Sequence, residues 1–257
     1  MTSKKLRAEV RDQFGRAPDE YTLSSSHSDP ALLERMELAL KLPSDCVALD
    51  IATGSGHTAL ALAAKVARVL AVDVTMAMLR EARGNAKAQR RKNIFFVLGD
   101  AQELPLPSAT MDVVTCRIAP HHFADLEAAL REVSRVLRPG GQFYVLDCSA
   151  PDDPAALAFI DELEKLRDES HVALYSPAGW LAAMQQAGLT MRSIELLPRR
   201  YELYPWLDRA RTSERSRHLI FRKIARRPAR FAEYFPAVLD GPEPYLQSYF
   251  VECVAVR

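Results

Sequence analysis

No stretch of eighteen uncharged apolar residues occurs in this chain, so no membrane-spanning helix is expected. The four cysteines, Cys46, Cys116, Cys148 and Cys253, contain no C-x-x-C pair. That excludes a zinc ribbon, fits buried thiols in a reducing compartment, and leaves no metal site to expect. An excess of one charge is missing too: 34 Lys and Arg stand against 33 Asp and Glu, a net charge of +1. Nothing global therefore calls for a polyanionic partner. Near the N-terminus Lys4, Lys5, Arg7 and Arg11 are interrupted by Glu9 and Asp12. No apolar run follows them, so a secretory signal is not expected and a cytoplasmic location is. What is present is 48% hydrophobic residues over 257 positions, enough for one substantial core with an appended lid.

The most informative segment is Val47 to Leu60, VALDIATGSGHTAL. An apolar run ends in an acid and opens into a glycine-bearing turn, which reads as strand, loop and helix start. A second apolar run, Val66 to Val74, ends in another acid, Asp73. Gly54 and Gly56 let backbone approach a ligand where a Cβ would collide, and the following helix offers unpaired N–H groups. Asp73, at the end of the next strand, can accept from both hydroxyls of a ribose. A dinucleotide site uses similar parts, but its third glycine is missing here, Ala59 standing in that place. Asp50 would sit badly beside a pyrophosphate and well beside an ammonium. These features favour S-adenosylmethionine over NAD.

Later segments repeat the pattern. Asn93 to Leu106 reads as a strand ending at Gly99-Asp100-Ala101, and Met111 to Arg117 as another. Ala124 to Leu137 reads as an amphipathic helix with Leu126, Ala129, Leu130, Val133 and Leu137 on one face, stopped by Pro139-Gly140-Gly141. Gln142 to Asp147 supplies a fifth strand. Strand and helix alternate throughout, which calls for a parallel sheet covered on both faces.

With these residues the chain resembles the class I S-adenosylmethionine-dependent methyltransferases. Within them it is similar to the ubiquinone/menaquinone biosynthesis C-methyltransferase group and its small-molecule relatives. The resemblance rests on Leu49 to Gly56, Ala71 to Leu79, Gly99 to Arg117 and Ala128 to Asp147, and covers about residues 10 to 190. It implies an α/β, Rossmann-like, seven-stranded doubly wound sheet, mostly parallel with an antiparallel last strand, plus helical lid elements. It also implies that Gly54 and Gly56 line the methionine portion, with Asp50 orienting their loop. Asp73 would hold the ribose, Val74 and Met78 would flank sugar and adenine, and Asp100 with Ala101 would meet the adenine amino group. Arg117 would lie beside the methionine carboxylate or the acceptor. Ala52 stands where many members have glycine, and the quinone methyltransferases also tolerate alanine there. His57, in the first turn of the helix, could cap that helix or touch the cofactor.

Three regions lie outside the sheet. Residues 1–42 form an N-terminal helical arm, with one helix around Leu6 to Phe14 and another from Asp29, whose side chain could cap it. Tyr21 and His27 are substrate-lid candidates, and Phe14 reads as packing. Asp152 to Gly188 reads as two helices, with Arg167, Asp168 and His171 clustered at the end of the first; His171 is a further substrate candidate. Arg199 to Arg230 carries eleven Lys or Arg against Glu202, Asp208 and Glu214, interleaved with Tyr201, Tyr204, Trp206 and Phe221. Tyr204 completes the substrate candidates. The expected organisation is arm 1–42, cofactor-binding core 43–198, basic helical insertion 199–247 as a substrate lid, and last strand 248–257.

The basic insertion could meet RNA phosphates or an acidic small substrate, though more often such a face is only solvated. Adenine amino-methyltransferases show Asp/Asn-Pro-Pro-aromatic after the fourth strand, where this chain has Arg117-Ile118-Ala119-Pro120-His121-His122. Pyrimidine C5 enzymes need a cysteine nucleophile, but Cys116 follows Thr115 and Cys148 follows Asp147. Neither signature is present, so a nucleic-acid partner is not expected. A sulfonium is already a good methyl donor, so alignment and exclusion of water supply most of the rate. If a base is needed, His121 and His122 are the candidates, at the mouth of the site and titrating near neutrality; one of them could instead anchor the loop. The quinone group has Arg-Asn at these positions. The expected activity is methyl transfer to O or C of an aromatic or quinone-like small molecule, by a monomer or homodimer. An RNA methyltransferase and a non-catalytic S-adenosylmethionine-binding protein are the alternatives.

Overall fold

The computed structural model describes residues 28–257. The first arm helix and the candidates Phe14, Tyr21 and His27 lie outside the described residues. The chain then runs α1 (Pro30–Ala39), β1 (Val47–Ile51), α2 (His57–Ala63), β2 (Arg68–Asp73), α3 (Met76–Ala88), β3 (Ile94–Leu98) and β4 (Met111–Arg117). After a 3₁₀ turn, Pro120–His122, come α4 (Leu126–Val136), β5 (Leu137–Ser149), α5 (Pro154–Arg167), α6 (Pro177–Gln186) and β6 (Thr190–Glu202). The chain ends with α7 (Leu203–Arg209), α8 (Glu214–Ala225), α9 (Ala229–Tyr234), β7 (Ala237–Val238) and β8 (Tyr245–Val256).

The sheet order is β3-β2-β1-β4-β5-β8-β6, with the short β7 paired to β8 off that path. β1 to β5 pair in parallel, and the last strand, β8, inserts antiparallel between β5 and β6. Alternate residues of each strand serve opposite faces. Ala48, Val69, Tyr144 and Leu146 join the core beneath α1, α2 and α5. Leu49, Val72, Phe143 and Val145 join the core beneath α4 and α6. Because the order reverses between β1 and β4, their carboxyl ends splay and leave a crevice, the usual ligand place in such sheets.

Local chemistry sets the ends of the elements. Asp29 caps α1 by accepting from the Ala31 N–H at 3.0 Å, followed by Pro30 at the first helical position. Arg35 of α1 then binds the mostly buried Glu252 on β8 at 2.6 Å and Glu195 on β6 at 2.7 Å, while Tyr144 donates to Glu252 at 2.7 Å. This ties α1 across three strands. One expectation needs correction: α4 stops at Val136, before Pro139-Gly140-Gly141, and Leu137 already pairs with Met111 in the sheet. The register then shifts to Val113 opposite Gln142, and the intervening residues loop out of the ladder. The proline and glycines serve that bulge rather than a helix stop. Gly141 is required there, since a Cβ would sit 2.9 Å from the Arg138 carbonyl oxygen and 3.1 Å from that of Asp112.

The helices α7, α8 and α9 lie between β6 and β8. Their buried faces carry Leu203, Trp206, Leu207, Ile220, Ile224 and Phe231. β6 runs through Arg199 and Arg200 to Glu202, so the helical segment occupies 203–244. No helix among the described residues is long and apolar enough to cross a membrane.

The bulge gives a paired prediction. Gly141→Ala should lower stability by about 1–3 kcal/mol, because backbone oxygens must move. Gly84→Ala, in the open interior of α3, should raise it by about 0.5–1 kcal/mol. Urea denaturation of both variants measures the contrast, and a neutral Gly141→Ala would remove the close-approach argument.

Candidate active site

The crevice at the carboxyl ends of β1, β2 and β4 is an open cleft of about 1040 Å³. After β1 the chain turns sharply through Ala52 (φ 51°) and Gly54 (φ 55°). Ala52 therefore holds a left-handed backbone that an alanine adopts only at some cost, which is why glycine suits this position elsewhere. The Thr53 N–H donates to the Val72 carbonyl at 2.9 Å, fastening the loop to β2. Asp73 completes the fastening: one carboxylate oxygen accepts from the Gly54 N–H at 2.9 Å, the other from the Thr75 N–H and hydroxyl, each at 2.9 Å. Burial raises the Asp73 pKa, and these donors work against that rise.

Asp50 lies beneath the loop and outside the cleft lining. It accepts from the Thr53 hydroxyl at 2.6 Å and the Thr115 hydroxyl at 2.9 Å, and burial pushes its pKa up to about 6. It shapes the loop from behind. Gly56 also lies outside the lining, where its bare Cα meets α3: a Cβ would come within 3.0 Å of the Ala82 side chain. The other cofactor candidates, Ala52, Gly54, His57, Asp73, Val74, Met78, Asp100, Ala101 and Arg117, all line the cleft. Asp100 is braced by Gln102, whose backbone N–H and side-chain amide donate to it at 2.9 and 3.0 Å.

Arg117, at the end of β4, is 6% exposed. One guanidinium nitrogen donates to the Thr58 hydroxyl at 3.2 Å, while Nε and Nη2 have no hydrogen-bond partner among the described residues. Burial lowers its pKa, opposed by Tyr144, Asp50 and Asp29. A buried cation with two unused donors on a cleft wall is suited to an anionic ligand. The next residue, Ile118, has φ 52°, a strained conformation for a β-branched side chain. It swings the chain into the Pro120–His122 turn.

That turn separates the two histidines. His121 is buried away from the cleft, its backbone N–H and ring Nδ1 bonding the two oxygens of Asp147 at 2.8 and 2.5 Å. His122 lines the cleft, with Nδ1 at 3.0 Å from both the carbonyl and the hydroxyl of Ser170. The expectation that they titrate near neutrality is corrected. Burial, reinforced for each by a neighbouring histidine, pushes both down to about 3, and burial pushes Asp147 up to about 7. Both imidazoles are therefore neutral at physiological pH.

The remaining candidates are elsewhere. His171 is buried against Asp161 at 2.8 Å, its ring 5.5 Å from that of His121, and it does not reach the cleft. Tyr204 is exposed and packs its ring 5.9 Å from Phe221. Sequence reasoning passed over Thr53, Ser55, Thr58, Gly99, Gln102, Ile118, Ala119 and Phe123, which also line the cleft. Most flank a residue already singled out, but the apolar trio Ile118, Ala119 and Phe123 has no distinguishing pattern. Among the described residues one set of side chains has metal-ligand spacing: atoms of His121, Asp147 and Cys148 lie within 4.8 Å of one another. Both Asp147 oxygens already bond His121, and burial holds the Cys148 thiol well above its ordinary pKa.

Comparison with known proteins agrees with this geometry. Residues 49–145 match the methyltransferase domain family. The uncharacterized methyltransferase YcgJ of Bacillus subtilis is 39% identical over 67% of this chain and 68% of its own. The crystal structure of a putative methyltransferase from Bacillus halodurans superposes with a TM-score of 0.85 at 29% identity, covering 88% of this chain and 98% of that one. The 27-O-demethylrifamycin SV methyltransferase of Amycolatopsis mediterranei is 30% identical over 69% of this chain and 66% of its own. A demethylmenaquinone methyltransferase of Symbiobacterium thermophilum is 39% identical over 40% of this chain and 43% of its own. The chain belongs to the class I S-adenosylmethionine-dependent methyltransferases.

Proposed function

We propose that this enzyme methylates an oxygen or carbon of a small aromatic or quinone-like acceptor. The observation that carries the reading is the wall after β4, where Ile118, Ala119 and Phe123 give an apolar surface beside His122, on the same cleft as Gly54 and Arg117. Such a surface suits a flat apolar ring rather than a phosphate backbone. The rifamycin and demethylmenaquinone relatives, by their names, act on small molecules of that kind.

The cleft fits the cofactor by its own chemistry. The Cβ that Gly54 lacks would meet nothing within 4 Å, leaving backbone open to a ligand, and the two unpartnered Arg117 donors need an anion. Asp73 would accept from the ribose hydroxyls, Val74 and Met78 would pack on sugar and base, and Asp100 with Ala101 would meet the adenine edge. Arg117, held at the first turn of α2 by Thr58, would take the methionine carboxylate. When bound, the sulfonium supplies an electrophilic methyl group. The protein's share is to align the acceptor, exclude water and accept a proton where the acceptor has one to lose.

An RNA substrate is less well supported, because at least four of the eleven cations of the basic segment are already paired or stacked. Arg217 bonds Asp208 at 2.6 Å, Lys223 bonds Glu162 at 2.8 Å, Arg199 bonds Asp29 at 3.0 Å, and Arg200 stacks on Tyr245. Labelled methyl transfer into a metabolite extract, with a tRNA pool in parallel, tests the reading. Label is expected in small molecules; label in RNA alone would overturn it, and none in either would favour a binding protein without turnover.

Arg117→Met should weaken S-adenosylmethionine binding roughly 10–100-fold, as for loss of a charged hydrogen bond. Binding of the decarboxylated cofactor should barely change. Equal losses for both by calorimetry would place Arg117 away from the carboxylate. For pH, depressed histidine pKa values mean that the unfolded chain takes up protons first as pH falls below about 6.5. His121 and His122 thus contribute stability above that value and lose it towards about 3, while raised Asp147 contributes below 3.8 and loses it as pH rises through about 7. The opposing slopes hide the effect in melting curves, so imidazole NMR is the direct observable. The His122 resonances should not titrate between pH 8 and 5, and a midpoint near 6.5 there contradicts its buried neutral assignment, whereas the His121 ring, bonded to Asp147, should report that carboxyl's titration near 7.

A further inference from the structure

The segment following α5 packs behind the 3₁₀ turn. The Val172 N–H donates to the His121 carbonyl at 2.8 Å, and Ser170 meets His122. The hydroxyl of Ser170 donates to Asp168 Oδ1 at 2.6 Å, and its backbone N–H donates to the same oxygen at 2.9 Å. With its one hydroxyl proton committed there, Ser170 offers His122 only acceptors, the hydroxyl oxygen and the carbonyl oxygen, both 3.0 Å from Nδ1. Nδ1 must therefore carry the proton and Nε2 the lone pair. His122, Ser170 and Asp168 are all buried, which makes the hydrogen-bond arrangement costly to change.

We propose that Ser170 and Asp168 are positioning residues that hold His122 as its Nδ1–H tautomer, so that Nε2 takes the proton of a hydroxylated acceptor during O-methylation. The proposal rests on the small-acceptor reading and narrows it to an O–H group. As the new O–CH₃ bond forms and the S–CH₃ bond breaks, the hydroxyl proton passes to Nε2, leaving methyl ether, demethylated cofactor and imidazolium. The imidazolium returns the proton to solvent after product leaves. A base held down to about 3 is sufficient, because an oxygen gaining a methyl group becomes an oxonium-like acid far stronger than imidazolium. Asp168, behind Ser170 and two hydrogen bonds from the ring, offsets the transient positive charge. Burial works to raise the Asp168 pKa, but His122, Arg167 and the Ser170 donors hold it well below the ordinary carboxylate value.

The test is ¹⁵N NMR of His122 in protein saturated with S-adenosylhomocysteine. The wild type should show Nδ1 protonated and Nε2 unprotonated; the reverse tautomer overturns the proposal. In Asp168→Asn the serine hydroxyl loses its ionised acceptor and can turn its proton to Nδ1, so the Nε2–H form should rise to at least roughly a tenth of molecules. An unchanged tautomer in that variant removes Asp168 from the role. Ser170→Ala is the second variant, with a smaller shift in the same direction because the carbonyl remains, and no shift there removes Ser170. Cofactor affinity should stay within twofold in both variants. Failure of wild-type protein to bind S-adenosylhomocysteine would instead contradict the cofactor-site reading.

Discussion

The cleft depends on one carboxylate. Asp73, at the end of β2, takes the Gly54 N–H on one oxygen and the Thr75 N–H and hydroxyl on the other. It thereby joins the loop after β1 to the start of α3, the helix that follows β2. Asp50 does related work one layer lower, bonding Thr53 and Thr115 from within the core. One acid faces the ligand space and the other supports the floor. Their burial costs are offset chiefly by backbone and hydroxyl donors, with no hydrogen bond from Arg117 to either acid, which leaves its guanidinium for a ligand.

The opposite wall is built with strain instead of hydrogen bonds. Ile118 in a left-handed conformation turns the chain so that Arg117 and His122 reach the cleft together, while His121 is drawn back onto Asp147. Strain at such a point persists only when neighbours enforce it. Here the Ile118 N–H bonds the Leu146 carbonyl at 2.7 Å, and the loop after α5 backs the turn. The basic helical segment packs further out, with Arg217 and Lys223 spent on acids and Arg230 on the Phe231 ring. Arg167 of α5 holds the segment to the core, set between Glu164 at 2.8 Å and the Trp206 ring of α7.

Much of this was legible in the sequence, for a definite reason. Asp50, Asp73, Asp100 and Arg117 each close an apolar run, and a parallel sheet brings all such closing residues to one edge. What was not legible depends on residues distant in sequence. Nothing in the pair His121-His122 says which ring faces the ligand; Asp147, 26 residues on, and Ser170, 48 residues on, decide it. Gly56 looked like part of the ligand loop, yet its missing Cβ serves Ala82 of α3. Pro139-Gly140-Gly141 has the composition of a helix stop and works as a bulge, because the β4 register was hidden. His171 and Tyr204 suggested a substrate lid by residue type, whereas one is buried against Asp161 and the other faces outward.

The central claim is that Asp73 both closes the loop and receives the cofactor's ribose. Calorimetric titration of S-adenosylmethionine into wild type and Asp73→Ala tests it most directly. The account predicts binding by the wild type, roughly 100-fold weaker binding by the variant on loss of buried charged hydrogen bonds, and no NAD binding by either. Unchanged affinity in Asp73→Ala, or NAD binding in place of S-adenosylmethionine, would contradict it.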